Sequence, residues 1–317
     1  MTTSGVKAFT LTTGDIIDMA FQKAMIFTIR DTIPSADYDI AKRNLNVLVK
    51  SWQSYGYNIW NDKRATLFLQ YGVNEYELGS NGYHCTENYV RTSLISNVSS
   101  GAGTIQVSSS EGISDGDFIG IIKDDNYIFW TNVDGAPVAN TIALVDNIDG
   151  NAASGKDVFA YTTKISKPLE ILNVMLEQTS TNEIILYKIP RQKYFWLSNK
   201  NSLGNPNQYY YKPEINKGRL FVWSTPIQTD QVINFTFQPD FDNFVNVSDT
   251  PDFPQQWLNA IIYNLAYQLM TDYGITTEQM NRVKADADRY LNLAQGSDND
   301  DGTLRIVPSY RNNRRWL

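Results

Sequence analysis

Apolar residues recur at helical spacing in two segments near the start of the chain. The first segment follows Thr13, a predicted N-cap with Asp15 in the first turn, and we expect this helix to run to about Arg30. The second helix is expected to follow an N-cap at Ser35 and to end at Gly56. Because the connection is only a few residues long, the two helices should form an antiparallel hairpin. Neither apolar stripe is buried by the hairpin alone, so another part of the chain must cover it.

The pattern then changes to short extended runs bounded by Gly or Asn. The predicted strands cover residues 66–69, 75–78, 104–107, 118–122, 127–130, 141–145, 168–172, 209–211, 219–223 and 232–237. Between residues 90 and 164 the runs alternate with turn clusters at the regular spacing of a barrel or sandwich. This spacing predicts an all-β module, inserted into a β region that continues over residues 165–251.

Two further helices are predicted near the end of the chain. The first is expected to start with a capping-box pair, Asp252 and Gln255, with Pro254 in its first turn, and to stop at Gly274.

The last helix is expected to be capped by Thr276 and Gln279 and to end at Gly296.

Four helices, two from each end of the chain, can bury one another's apolar stripes. The sequence therefore predicts an α+β fold, with an antiparallel bundle of N- and C-terminal helices, a central β region carrying the inserted module, and an extended C-terminal arm. The expected segments are residues 1–89, 90–164, 165–251, 252–296 and 297–317.

The final segment is polar and acidic to residue 302, and after it come four arginines with no acidic residue. Its apolar content is too low for independent folding, so it should be extended or disordered in the free monomer. A solvated terminus is one interpretation, and an arm that binds a neighbouring subunit or partner is the other. The large apolar ending favours the arm, because such a terminus gains from burial. The predicted binding residues are Arg305, Tyr310, Arg311, Arg314, Arg315, Trp316 and Leu317.

Composition narrows the possible functions. The chain has 317 residues, enough for about two domains, and 7 Trp, 19 Tyr and 14 Phe give it much aromatic surface that must be covered. A net charge of −7 argues against a general nucleic-acid binder, although a local basic patch is compatible with it. The single cysteine excludes an intrachain disulfide and fits assembly in a reducing compartment. We expect no signal peptide and no membrane span.

A catalytic site is not expected. His84, the only histidine, is adjacent to the only cysteine, Cys85, and neighbouring side chains on a strand point to opposite faces. Cys85 is therefore predicted to be a buried apolar residue. One His and one Cys are also too few for zinc, and no phosphate-binding glycine motif is present, so we expect no metal and no cofactor.

Carboxylate pairs such as Glu75 with Glu77, or Asp124 with Asp125, could in principle hydrolyse glycosides. No sequence feature desolvates one member of either pair to make it an acid catalyst. The aromatic runs 194–196 and 209–211 could stack bases or sugars, but in strands such runs more commonly form core and covered interface. The sequence thus favours a protein that is not an enzyme.

The order of the segments resembles the head-to-tail adaptor proteins of short-tailed bacteriophages (podoviruses), also called tail accessory factors or packaged-DNA-stabilisation proteins. The resembling segments are residues 13–20, 35–37, 45–52, 168–172, 218–226 and 252–266.

This resemblance implies a virion protein, made in the host cytoplasm, that forms a ring of usually twelve copies between the portal and the tail nozzle. DNA would pass through the centre without specific binding, and the C-terminal segment would extend along the portal. The inserted module would face outward or towards the tail, as a docking surface for fibres or nozzle. Two other classes stay open: a tail-associated peptidoglycan hydrolase and a carbohydrate-binding fibre or baseplate module.

Overall fold

The computed structural model describes residues 9–28, 31–54, 62–179, 182–251 and 253–297. They form a mixed α+β protein, which confirms the predicted fold class. The helices are α1 (Thr13–Lys23), α2 (Ser35–Ser54), α3 (Arg191–Phe195), α4 (Gln255–Asp272) and α5 (Thr277–Ser297). The strands are β1 (Lys63–Phe68), β2 (Glu75–Leu78), β3 (Cys85–Thr86), β4 (Val90–Ser93), β5 (Thr104–Gln106), β6 (Phe118–Ile122), β7 (Ile128–Asn132), β8 (Thr141–Ala143), β9 (Asp157–Tyr161), β10 (Pro168–Thr179), β11 (Asn182–Ile185), β12 (Tyr187–Lys188), β13 (Gln208–Pro213), β14 (Gly218–Trp223) and β15 (Val232–Pro239).

The chain divides into two compact units, one made of residues 1–60 with 241–317 and the other of residues 61–240. In the first unit, α1, α2, α4 and α5 contribute to a single apolar core. Helix α4 is the most deeply buried of them, and its Trp257 packs against Trp52 of α2 with ring centroids 5.4 Å apart. Each amphipathic helix thereby buries a stripe that it could not bury alone. The finer prediction, a bundle with an inserted module and five segments, stays a prediction.

The start and end of α1 differ from the prediction. Thr12, not Thr13, is the N-cap, because Thr12 Oγ1 accepts the Asp15 N–H at 3.2 Å and Asp15 Oδ2 accepts the Thr12 N–H at 2.9 Å. Thr13 is the first helical residue, and its hydroxyl donates to the Asp249 carbonyl. The helix ends at Lys23 rather than near Arg30, because Met25 adopts a left-handed φ of 59°. Arg30 itself lies outside the described residues.

The beginnings of α2 and α4 also differ. Helix α2 begins at Ser35, and the Pro34 carbonyl accepts its first helical hydrogen bonds, so Ser35 is not the N-cap. In α4 Pro254 is the N-cap rather than a first-turn residue, while Asp252 lies outside the described residues. The predicted stop of α4 is confirmed, since Gly274 follows it with a left-handed φ of 66°.

Helix α5 starts as predicted but continues further. Thr276 lies immediately before it and donates to Gln279 Oε1 at 2.9 Å. The helix includes Gly296 and extends to Ser297, so Gly296 is not its terminus. The predicted end of α2 at Gly56 lies outside the described chain.

The second unit contains a β-sandwich of two sheets. One sheet has the order β11-β10-β15-β1-β3 and the other the order β12-β13-β14-β2. Alternating side chains from both sheets point inward and form one core that includes Leu67, Tyr76, Leu220 and Phe235. The antiparallel pairing of β1 with β15 sets Thr66 opposite Asn234 on the outward face.

Strands β4 to β9 follow β3 and form separate sheets before β10 returns to the sandwich. Four of them have the order β4-β9-β6-β7, and β5 pairs with β8. Their own apolar core includes Ile105, Ile119 and Val158. Gly120 lies opposite Trp130, whose ring occupies the space where a Gly120 side chain would lie, 2.6 Å from an ideal Cβ. We call this set of strands the β module.

An aromatic cluster joins the β module to the sandwich. Phe68, at the end of β1, points away from the sandwich core and is only 1 % exposed. Its ring lies 4.9 Å from Phe159, 5.2 Å from Trp130 and 5.3 Å from Tyr89. The outward face of the five-stranded sheet is thus covered by the β module at this end.

Candidate interaction surfaces

The predicted arm cannot be located in the fold, because all of its residues lie outside the described chain. These residues are Arg305, Tyr310, Arg311, Arg314, Arg315, Trp316 and Leu317. Their assignment to portal binding stays a prediction.

The Cys85 side chain lies in the sandwich core and is 1 % exposed, which confirms that it is a buried apolar residue. Burial raises the pKa of its thiol well above the ordinary value, so the thiolate is strongly disfavoured. His84 instead stacks flat on Trp130, with centroids 3.8 Å apart, and its Nδ1 lies 2.5 Å from Tyr161 Oη. Burial, with a smaller contribution from Lys164, lowers the His84 pKa to about 3. The two residues therefore do not form a thiolate–imidazolium pair.

The nominal carboxylate pairs serve as ion-pair partners and turn acceptors. Glu75 and Glu77 project from the same face of β2, and the Arg219 guanidinium bonds to Glu75 and lies 3.4 Å from Glu77. Asp124 accepts the Ala153 N–H, and Asp125 pairs with Lys123 at 3.2 Å. Across the described ranges, no three His, Cys, Asp or Glu residues are grouped to hold a metal ion.

An aromatic and cationic surface surrounds α3. The run 194–196 lies in a short helix, which Tyr194 and Phe195 close and Trp196 caps. Tyr194 is buried against Phe221, at a centroid distance of 5.1 Å. Phe195 is half-exposed between the side chains of Arg191 and Lys200, and Trp196 is 75 % exposed. One residue of the run thus forms core and the other two form an exposed patch.

The run 209–211 in β13 alternates in the manner expected of a strand. Tyr209 and Tyr211 are buried in the sandwich core, and their hydroxyls donate to the Leu172 and Pro168 carbonyls. Tyr210 points to the opposite face and stacks on Phe221. This agrees with the expectation of core and covered surface.

Strand β11 is an edge of the five-stranded sheet and is exposed along its whole length. Ile185 is 63 % exposed and Tyr187, which begins the edge strand of the other sheet, is 70 % exposed. The same chain segment therefore forms an open edge of both sheets, with apolar side chains in solvent.

A polar groove of about 620 Å³ lies on the outward face of the five-stranded sheet. On its floor, Thr66 donates to Asn234 at 2.7 Å, and Asn234 in turn donates to Glu177 at 2.7 Å. Glu87 and Glu183 also line the groove. These three floor side chains are thus hydrogen-bonded to one another.

A second depression, of about 460 Å³ and widely open to solvent, lies where the β module meets the sandwich, and we call it the junction cavity. Its walls come from the β1–β2 turn, the 79–82 turn, β7 and the hairpin before β7. The lining residues are Gln70, Val73, Glu77, Asn81, Gly82, Tyr83, His84, Tyr127 and Trp130. Sequence reasoning missed this site, and its only local signal was a cluster of Gly, Asn and Tyr between β2 and β3.

Within the described parts of the chain, no helix is both long and apolar enough to cross a bilayer. A comparison with curated proteins gives no match. Residues 128–307, more than half of the chain, match the family described as SU10 adaptor protein. The matched region begins in β7, includes β10 to β15 and the two C-terminal helices, and extends beyond them. The match supports a phage head-to-tail adaptor, in agreement with the resemblance seen in the sequence, and the chain belongs to the SU10 adaptor protein family.

Proposed function

We propose that this chain is a non-enzymatic structural protein of the virion of a short-tailed phage, a head-to-tail adaptor docked on the portal. The family match over residues 128–307 carries the proposal. The carboxylates that were considered for hydrolysis have structural partners. Glu75 pairs with Arg219 and Asp125 pairs with Lys123, while Asp124 accepts the Ala153 N–H.

In this role the chain forms a ring, of twelve copies by resemblance. A closed ring of identical subunits needs two different and complementary patches on each subunit. The exposed Trp196 and Phe195 beside α3, and the apolar edge at Ile185 and Tyr187, are surfaces of the kind that subunit contacts bury.

The ring extends the DNA channel and provides the attachment platform for the tail nozzle and fibres. DNA must leave through the channel without being held, and a chain with a net charge of −7 has little tendency to retain phosphate. The C-terminal arm reaches the portal, where its arginines pair with carboxylates through two parallel hydrogen bonds each.

The decisive experiment measures the native mass of the full chain, alone and mixed with the portal protein of the same phage. The proposal expects a portal-bound ring in the mixture. The matched variant ends at Gly302, and should keep its circular-dichroism spectrum and melting temperature while it fails to join the portal. A folded full-length chain that never associates with the portal would contradict the adaptor role. Turnover of purified cell wall, lost on substitution of one carboxylate, would favour the hydrolase instead.

A further inference from the structure

The junction cavity presents hydrogen-bonding groups that the protein does not use. The side-chain amides of Gln70 and Asn81 line it, and within the described chain neither amide has a hydrogen-bond partner. An amide both donates and accepts, which is the combination that an alcohol hydroxyl group requires. The cavity thus offers two free amides that match the hydroxyls of a ligand.

Aromatic rings form the apolar part of the same wall. Tyr83 is 37 % exposed and Tyr127 is 47 % exposed, and both belong to the cavity lining. The edge-to-face contact of each ring with another tyrosine, Tyr76 at 5.2 Å and Tyr71 at 5.6 Å, fixes its orientation. Exposed, fixed aromatic rings are platforms for a ligand that has a flat apolar face.

The lining of the cavity offers no free charge to an ionic ligand. Glu77 is the one charged side chain in its lining, and it is paired with Lys217 and lies 3.4 Å from Arg219. The nearby Lys164 donates to the Gly82 carbonyl at 2.7 Å and is not part of the lining. A phosphate would find no free cation in this lining, and an amine would find no free carboxylate.

We propose that the junction cavity is a binding site for a neutral saccharide. A pyranose ring combines an apolar face of C–H groups, which fits a tyrosine ring, with a belt of hydroxyls, which fits the Gln70 and Asn81 amides. The volume of about 460 Å³ accommodates a sugar ring, and the wide opening leaves the rest of an oligosaccharide in solvent. The site is distinct from the adaptor role, because it needs neither the ring nor the portal.

The walls of the cavity are held in place before any ligand binds. The Tyr83 N–H donates to the Glu77 carbonyl at 2.8 Å, and an ideal Cβ on Gly82 would lie 2.2 Å from the same oxygen, so the 79–82 turn is tightly packed. On the opposite side, the Tyr127 N–H donates to Asp125 Oδ1 at 3.0 Å. A preformed site loses little conformational entropy on binding.

The test uses the full-length protein and three neutral oligosaccharides: maltotetraose, cellotetraose and chitotetraose. Saturation-transfer NMR and titration calorimetry measure binding to the unmodified chain and to Tyr127→Ala, Asn81→Ala and Tyr127→Phe. Tyr187→Ala is the matched control, since Tyr187 is an exposed tyrosine outside the cavity.

The proposal expects saturable binding of at least one oligosaccharide. Tyr127→Ala and Asn81→Ala should each weaken it by about tenfold or more, and Tyr127→Phe, which keeps the ring, should weaken it less than Tyr127→Ala. The control Tyr187→Ala should leave it within about twofold. Absence of binding by all three sugars to the folded chain, or equal binding by Tyr127→Ala and the control, would overturn it. Because no portal protein takes part, failure of this test leaves the adaptor proposal unaffected.

Discussion

The imidazole of His84 is kept neutral by its position between the Trp130 ring and the Tyr161 hydroxyl. Burial is the main reason why its pKa falls to about 3, against an ordinary value of 6.5. As the pH falls below 6.5, the unfolded chain binds a proton at this residue and the folded chain does not. The contribution of His84 to the free energy of unfolding is therefore greatest above pH 6.5, and it decreases as the pH falls from 6.5 towards 3.

His84 is the only histidine, so this dependence can be isolated by one substitution. Between pH 6 and pH 5, we expect the free energy of unfolding of residues 61–240 to fall by about 1 kcal/mol in the natural chain. In His84→Phe, which keeps a flat ring against Trp130, that decrease should be absent. Urea titrations at the two pH values measure it. Equal slopes for both proteins would assign the acid sensitivity to carboxylates instead.

Gly82 lies in the 79–82 turn, which forms one wall of the junction cavity, at a position with no space for a side chain. An added Cβ would lie 2.2 Å from the Glu77 carbonyl oxygen, which is backbone and cannot move aside cheaply. We expect Gly82→Ala to lower the free energy of unfolding by about 2 kcal/mol, because the 79–82 turn must shift. Ser80→Ala, at an exposed position of the same turn, should change it by less than about 0.5 kcal/mol. Thermal melts of the two variants test this, and similar melting temperatures would mean that the turn relaxes freely.

At the level of elements, each of the ten predicted runs overlaps a strand, whereas strands β3, β4, β9, β11 and β12 were not predicted. Strands β2 and β6 have the expected limits, because alternating or continuous apolar runs between turn residues are a direct signal of a strand. The end of α1 depends on the left-handed conformation of Met25, a residue type that gives no such signal. The short helix α3 was missed because five residues are too few to show helical periodicity, and its aromatic residues favour strands.

The aromatic cluster around Phe68 should carry the attachment of the β module. Phe68→Ala removes a ring that is 1 % exposed and contacts Tyr89, Trp130 and Phe159, so it should cost about 3–5 kcal/mol. Phe68→Leu, which keeps most of the volume, should cost less than half of that. Chemical denaturation measures both. Protease cleavage between residues 86 and 90 should increase in the alanine variant alone, and unchanged cleavage with full stability would show that the cluster does not join these elements.

At the level of the whole molecule, the sequence indicated which helices share a core, but not which loops form the junction cavity. Four apolar stripes, two at each end of the chain, each lacked a partner, and the structure places them in one core. The junction cavity had no comparable signal. Tyr127 comes from a hairpin of the β module and Asn81 from a turn of the sandwich, and only the pairing of distant strands brings them to one cavity.

The chemistry of the arm gives the last prediction, which rests on the proposed portal contact. Four arginines, at 305, 311, 314 and 315, follow the acidic segment without an intervening acid. If they pair with portal carboxylates, replacing all four with Gln should weaken portal binding by about a thousandfold, since each charged pair contributes roughly 1 kcal/mol. Replacement with Lys keeps the charge but loses the two-pronged geometry, so binding should be intermediate. Rising salt should weaken the natural chain and the Lys variant but not the Gln variant. Equal affinities of all three proteins in surface-plasmon resonance on immobilised portal would show that the arm binds through Trp316 and Leu317 or not at all.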